Sequence, residues 1–300
     1  MNNEPFASWT WTVHDDFQGT VSAYVKTVRH MSSRSVKLLK SCGKIRVNGE
    51  RAHMGSLLQG KDRLKIHYPF IAPPAHFKPC ALAVEILFED DHLIAVNKPS
   101  GVKTLPGQGE RGVSLAEQVI YYFQQTKQSG GVHPVSRLDQ FTSGIVIFAK
   151  HRFAHDQLHK RLQEEVGKRY VAIVDGKLRA EEQTIQQPIA RKEGSIIERT
   201  VSSGGDPAMT HYRKVWTGHD RTLLDVKLYT GRTHQIRVHM ASIGFPITGD
   251  TLYGNASSHI ARQALHCKSN TFTHPITNDR LHIEAPLPVD MLNMIPENYS

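Results

Sequence analysis

Four prolines fall between residues 69 and 79, at Pro69, Pro73, Pro74 and Pro79. Proline lacks a backbone N–H and has a fixed φ, so neither a helix nor a central strand runs through such a stretch. The chain is therefore expected to fold as separate units on either side of a semi-rigid linker at 69–80. Charge divides at the same place. The sequence carries 37 Lys+Arg against 28 Asp+Glu, a net +9. Between Gln18 and Tyr68 lie eleven of those cations and only two acids, Glu50 and Asp62. That segment holds the whole excess, and the remainder is neutral in sum. So concentrated a charge suggests a polyanionic partner, nucleic acid ahead of an anionic membrane surface.

Several classes fall away at once. No apolar run approaches the roughly 18–20 residues needed to cross a bilayer. The opening Met-Asn-Asn-Glu-Pro has neither the basic nor the apolar region of a secretory signal. Cys42, Cys80 and Cys267 are odd in number and widely spaced, forming neither a disulfide framework nor a metal-ligand pattern. A cytoplasmic setting is expected.

Residues 1–16, polar with scattered aromatics, read as an N-terminal tail, loose or partly docked. Residues 17–68 read as a small basic α+β domain. Val21, Tyr24, Val25 and Val28 have helical spacing, as do Val36, Leu39 and Cys42 before Gly43. Alternation at Lys44–Val47 before Asn48-Gly49 predicts a hairpin, and Arg63–His67 a further strand. From Ala81 the texture is strand-rich. Val84–Phe88, Leu93–Val96, Ile145–Ala149, Tyr170–Val174, Met209–Trp216 and Leu223–Tyr229 are the strand candidates. Ser114 with Glu117 makes a capping box for a helix to about Lys127, with further helices over Arg152–Glu165 and Thr233–Ile243. Strands outnumber helices without regular alternation, so 81–300 is expected to be an α+β domain with a largely antiparallel sheet.

Two polar clusters could carry chemistry. In Val135-Ser-Arg-Leu-Asp-Gln-Phe-Thr-Ser-Gly144, Arg137 and Asp139 share one face if the segment is extended. A carboxylate on a loop beside a buried strand suits a nucleophile or a general base, and equally a surface ion pair. In Thr230-Gly-Arg-Thr-His-Gln-Ile-Arg-Val-His-Met240, Arg232 lies near a helix N-terminus and Arg237 on its first turns. Either arginine could hold Asp139 ionised, or both could be solvated. His151, His155 and His159 line one helix face, but the outer pair lie about 12 Å apart along the axis, too far to share an ion. A half-exposed face near nucleic acid is the reading preferred for them, and no metal site is expected.

The two clusters together resemble the RluA-type pseudouridine synthases. Ser136–Gly144 is similar to that family's H-R-L-D-x-x-T-S-G run, and Lys168-Arg-Tyr-Val-Ala-Ile-Val-Asp-Gly176 to its K-x-Y strand. The block Gly231–Ala241 continues into Gly244-Phe-Pro-Ile-Thr-Gly-Asp250 and Leu252-Tyr-Gly254. Asn97-Lys-Pro-Ser-Gly101 and Arg262-Gln-Ala-Leu-His266 are smaller matches. Residues 17–68 look like the S-four-type RNA-binding module, through Ser33-Arg-Ser35, Gly43–Gly49 and Leu58-x-Gly60-x-Asp62.

The resemblance implies a pseudouridine synthase fold with a catalytic cleft, and an isomerase of uridine in structured RNA that uses no cofactor and no metal. Asp139 is then the essential carboxylate, either attacking the anomeric carbon or abstracting a ribose proton. Tyr170 is the pocket tyrosine, able to stack on the uracil and orient or deprotonate it. Arg237 pairs with the carboxylate, and Arg137 flips the base. Arg232, Arg34, Lys37, Lys44 and Arg46 are expected to bind RNA. Large-subunit ribosomal RNA is the favoured partner and transfer RNA the alternative, with a monomer acting away from membranes. Ser136 in place of the family histidine, Gln140-Phe141, and Leu105-Pro106 in place of His-Pro depart from the pattern at positions expected to face RNA. A non-catalytic RNA-binding protein and a nucleoside hydrolase are the competing classes.

Overall fold

In the computed structural model, which describes residues 6–107, 113–165 and 167–297, the proline stretch separates two sheets. The first has four strands. Strand β1 (Phe6–Thr12) forms one edge, followed by α1 (Ser33–Cys42), β2 (Lys44–Val47), β3 (Glu50–Ala52) and β4 (Arg63–Pro69), with α1 packed against β4. The order is β1-β4-β2-β3. Asn48, at φ 52°, and Gly49, at φ 93°, close the β2–β3 hairpin in the left-handed geometry that two-residue turns require. Alternation holds: Ile45, Leu64 and Ile66 are buried, while Lys44, Arg46, Arg63 and Lys65 face out.

The tail expected over 1–16 is different. Residues 1–5 lie outside the described residues, but Phe6–Thr12 pairs with the full length of β4, from Phe6 opposite Pro69 to Thr12 opposite Arg63. Ala7, Trp9, Trp11 and Val13 are buried. An apolar-polar alternation with two tryptophans is a strand signal, hidden among Ser and Thr of low hydropathy. Val21–Val28 is also less regular than its spacing suggests, a short α-turn followed by a π-turn.

Past the linker, β5 (Glu85–Glu89), β6 (Leu93–Lys98), α2 (Leu115–Gln125), β7 (Ser143–Ala149) and α3 (Arg152–Glu164) come first. Strands β8 (Lys168–Asp175), β9 (Glu182–Gln186), β10 (Met209–Thr217) and β11 (Arg221–Leu228) precede α4 (Gln235–Ser242). Strands β12 (Leu265–Thr273) and β13 (Arg280–Glu284) follow. The sheet runs β9-β10-β11-β8-β12-β7-β6-β5, with β13 beside β12 and the short His133–Pro134 strand beside β7. Its described pairings are antiparallel except β7 with β12, which meet over Ser143 and Gly144. Gly144 is obligatory there: at φ 109°, a Cβ would sit 2.3 Å from the Cys267 carbonyl oxygen.

Helix α2 begins with the expected capping box. The Ser114 and Glu117 backbone N–H groups donate to the Glu117 and Ser114 side chains at 2.9 and 3.3 Å. Glu117 also accepts from the Lys78 N–H at 2.9 Å, pinning the linker to the larger unit. The two units share a core. Trp9 stacks on His151 at 5.2 Å and Phe153 at 5.5 Å, and Ser32 and Ser35 donate to Asp156 at 2.7 and 3.0 Å. This corrects the reading of the histidine face: His151 is fully buried at the junction, where it caps α3 by accepting from the Ala154 N–H. Among the described residues, no helix is long and apolar enough to cross a membrane.

Candidate active site

The loop ahead of β7 is shaped from both sides. Val135 N–H donates to the Ile147 carbonyl at 2.9 Å, and Ile147 N–H donates to Ser136 Oγ at 3.2 Å, so the chain doubles back on β7. Leu138 points inward and is buried, its N–H donating to Thr104 Oγ1 at 3.2 Å. Its neighbours Arg137, which is exposed, and Asp139, which is half-buried, must then project to the other side. After Asp139 the chain turns, with Thr142 N–H donating to the Asp139 carbonyl at 3.1 Å. The expectation that Ser136 faces RNA is corrected: it is buried and completes the backbone bonding of β7. Phe141, 49% exposed, is at the surface.

From the opposite side, α4 brings Arg237. Its Nη1 donates to Asp139 Oδ2 at 3.3 Å. The stronger grip is on Asp250, with Nε and Nη2 donating to the two carboxylate oxygens at 2.7 and 2.8 Å. Asp250 is 1% exposed and Arg237 7% by side chain. Burial alone would lower the arginine's affinity for its proton. The bonds and charge of Asp250, then of Asp139, more than offset this and keep it charged. Arg237 thus presents its remaining nitrogen to Asp139 from a fixed plane.

Lys98, fully buried, lies beneath the same loop. Its Nζ donates to the carbonyls of Pro99, Val102 and Gln140 at 2.9, 2.8 and 2.9 Å. Burial pushes it down to about 7, against the opposing pull of Asp139. Tyr170, on β8 opposite Cys267 of β12, is also buried. Burial, Cys267 and then Asp139 raise its phenol well above the ordinary value, so it stays protonated at neutral pH. Arg232 is apart from this group: it is exposed, its Nε donating to the Pro207 carbonyl at 3.0 Å. The helix starts at Gln235 rather than Thr233 because His234 takes a left-handed turn at φ 58°.

The sequence alone gave no role to Asp250, Tyr253, His234 or Lys98. All four lie inside blocks quoted for the resemblance, which was the signal available. Nothing in linear spacing says that Asp250 meets Arg237 thirteen residues earlier.

Solved structures supply the class. The fold matches human RNA pseudouridylate synthase domain containing 1 with a TM-score of 0.56 at 24% identity, over 68% of this chain and 83% of that one. It is a pseudouridine synthase fold. The family model described as RNA pseudouridylate synthase matches residues 92–242. An uncharacterized RNA pseudouridine synthase of Bacillus subtilis, YjbO, is 40% identical over 84% of this chain and 90% of its own length. Ribosomal large subunit pseudouridine synthase D of Nitrosomonas europaea is 39% identical over 72% of this chain and 65% of its own. The chain belongs to the RNA pseudouridylate synthase family, and it is an enzyme of that kind.

Proposed function

We propose that this enzyme isomerises specific uridines of large-subunit ribosomal RNA, with Asp139 acting at the ribose. The observation that carries the reading is the anchored Arg237, locked by Asp250 and turned on Asp139. Pseudouridine formation breaks the N1–C1′ bond, forms C5–C1′ and moves the C5 proton to N1. An attack on C1′ and a proton abstraction from the ribose both use the negative charge of the carboxylate, which the fixed guanidinium beside it complements. The sugar becomes cation-like as N1 departs, the situation carboxylates stabilise in retaining glycosidases.

Arg137, exposed two residues from Asp139, is suited to fill the gap left by an extruded uridine. The protonated Tyr170 orients the ring. The exposed row Arg51–Arg46–Lys65 crosses three adjacent strands of the smaller sheet. Like charges facing one another are unfavourable until an anion neutralises them, and with Arg34, Lys37 and Lys44 they suit an RNA backbone. Ribosomal RNA is preferred to transfer RNA because relatives such as the Nitrosomonas enzyme carry a large-subunit name.

Pseudouridine mapping of total RNA, from cells with and without the gene, tests the target. A missing site in large-subunit RNA is expected; one confined to transfer RNA would replace the target and leave the chemistry standing. Asp139→Asn should abolish conversion by at least about a thousandfold while RNA affinity stays within about twofold. Free uracil as product would indicate a hydrolase instead.

A further inference from the structure

His234 takes no part in the chemistry assigned so far, yet its ring is one of the most constrained groups around Asp139. It opens α4 from a left-handed backbone at φ 58° and makes no side-chain bond to the helix it begins. Capping therefore does not explain a histidine here, where asparagine would adopt the backbone more readily. The turn points the ring inward. Nε2 lies 3.9 Å from Asp139 Oδ1, and Nδ1 lies 2.8 Å from the Tyr253 hydroxyl. The Tyr253 oxygen in turn accepts from the Arg199 N–H at 2.8 Å, and the Arg237 guanidinium lies over the tyrosine ring, 5.0 Å from its centroid.

These contacts favour one position for the imidazole proton. Burial, helped by Arg237 and Arg199 against Asp139 and Asp250, holds His234 below its ordinary value. The ring is neutral at pH 7 and has a single proton to place. The Tyr253 oxygen is already an acceptor, so its one proton is best given to Nδ1. The imidazole proton then sits on Nε2, facing the carboxylate. The other tautomer would turn a lone pair towards Asp139. At 3.9 Å, Nε2–H and Oδ1 do not bond directly. Both can instead engage a single substrate group held against the carboxylate.

We infer that His234 is a further catalytic residue, whose Nε2–H donates to a ribose hydroxyl held against Asp139, with Tyr253 positioning it by fixing the tautomer. The inference rests on Asp139 acting at the sugar. The donor is preorganised before substrate arrives, the condition under which such a bond lowers a barrier most.

The test uses the full-length protein and total RNA from cells lacking the gene, with pseudouridine formation and RNA affinity measured separately. His234→Ala should lower kcat by at least about tenfold, the scale of a lost active-site donor, with Kd within about twofold. His234→Gln, whose amide can place an N–H near the Nε2 position, should recover part of that loss. Tyr253→Phe leaves the left-handed backbone untouched, and carries the test alone should the alanine variant not fold. It should lower kcat by about three- to tenfold at constant affinity. A kcat within twofold of the parent for Ala or Phe, or a Gln variant no better than Ala, would overturn the inference. If the parent protein forms no pseudouridine on this RNA, the proposed function falls first, and the role of His234 falls with it.

Discussion

The two units use arginine and lysine in opposite ways. In the smaller one, ten of the eleven cations between Gln18 and Tyr68 are exposed. The exception is Arg29, whose guanidinium lies over Trp11 and Tyr24 at 4.9 and 5.3 Å. In the larger unit, two arginines are buried and held by acids. Arg237 grips Asp250, and Arg262 grips Asp290 at 2.7 and 2.9 Å. An exposed cation acts through a screened field whose effects accumulate and fade with salt. A buried one costs desolvation, so it persists only with a partner, and it acts through fixed geometry. Net charge therefore reported on the first unit and was silent about the second, where the buried Arg237 and Arg262 are each offset by an acid.

The contrast is broken most severely at Asp250. Asp250→Ala leaves Arg237 buried, with Asp139 as its remaining carboxylate partner. Removing one member of such a pair costs about 3–5 kcal/mol, readable as a lower urea midpoint. Turnover should fall by at least about a hundredfold, because the guanidinium no longer holds its plane. RNA affinity in the surviving folded fraction should be unchanged. A variant with normal stability and turnover would show that the Arg237–Asp250 pair is ornamental.

The converse experiment reverses charge on the small sheet. Arg46→Glu with Lys65→Glu should weaken RNA binding by about tenfold or more near physiological salt. It should also flatten the salt dependence by roughly 0.7–0.9 in log–log slope for each phosphate that is no longer neutralised. Filter binding across a salt series checks both, and kcat at saturating RNA should hold. Deleting residues 1–70 is a poorer experiment than charge alone suggests, because it would strip Trp9 from His151 and Phe153 and expose part of the shared core.

Much of the architecture was legible because it rests on local periodicity. The β6, β7 and β8 strands are apolar runs, and the α2 capping box names its own start. The β12 strand escaped because half of its buried positions are polar, breaking the apolar run of Leu265, Cys267 and Phe272. His266 bonds Ser143 at 2.9 Å, and Ser269 and Asn270 are buried. Its pattern therefore does not look like a core strand, although it lies between β8 and β7. At the site, Asp139 and Arg237 stood out by resemblance. Their real support, from Asp250, Lys98 and Tyr253, is tertiary. A hydrogen bond between residues brought together by a ten-stranded sheet leaves no periodic trace in either segment.

The smallest expected effect concerns the junction between the two regions. Asp156 accepts from Ser32 and Ser35 and pairs with Arg152 at 2.8 Å. Burial pushes its carboxyl up, but bonds from His155, Ser32 and Ser35, with the Arg152 charge, hold it far below its ordinary 3.8. A carboxyl depressed by folding contributes fully above that ordinary value, and its contribution declines as pH falls below it. Docking should therefore be insensitive to Asp156 titration at neutral pH and weaken in acid. Asp156→Ala removes the contribution at every pH, costing about 2 kcal/mol through the missing charge-assisted bonds. The stacked Trp9 still holds the units together, so the change should appear as faster hydrogen exchange in α1 and easier cleavage near the linker, with the global unfolding free energy lowered by a similar amount. If the docked unit presents RNA to Asp139 in a fixed orientation, kcat/KM on long RNA should fall about two- to fivefold while kcat holds. Unchanged kcat/KM with loosened exchange would mean that the basic unit needs only to be attached, not oriented.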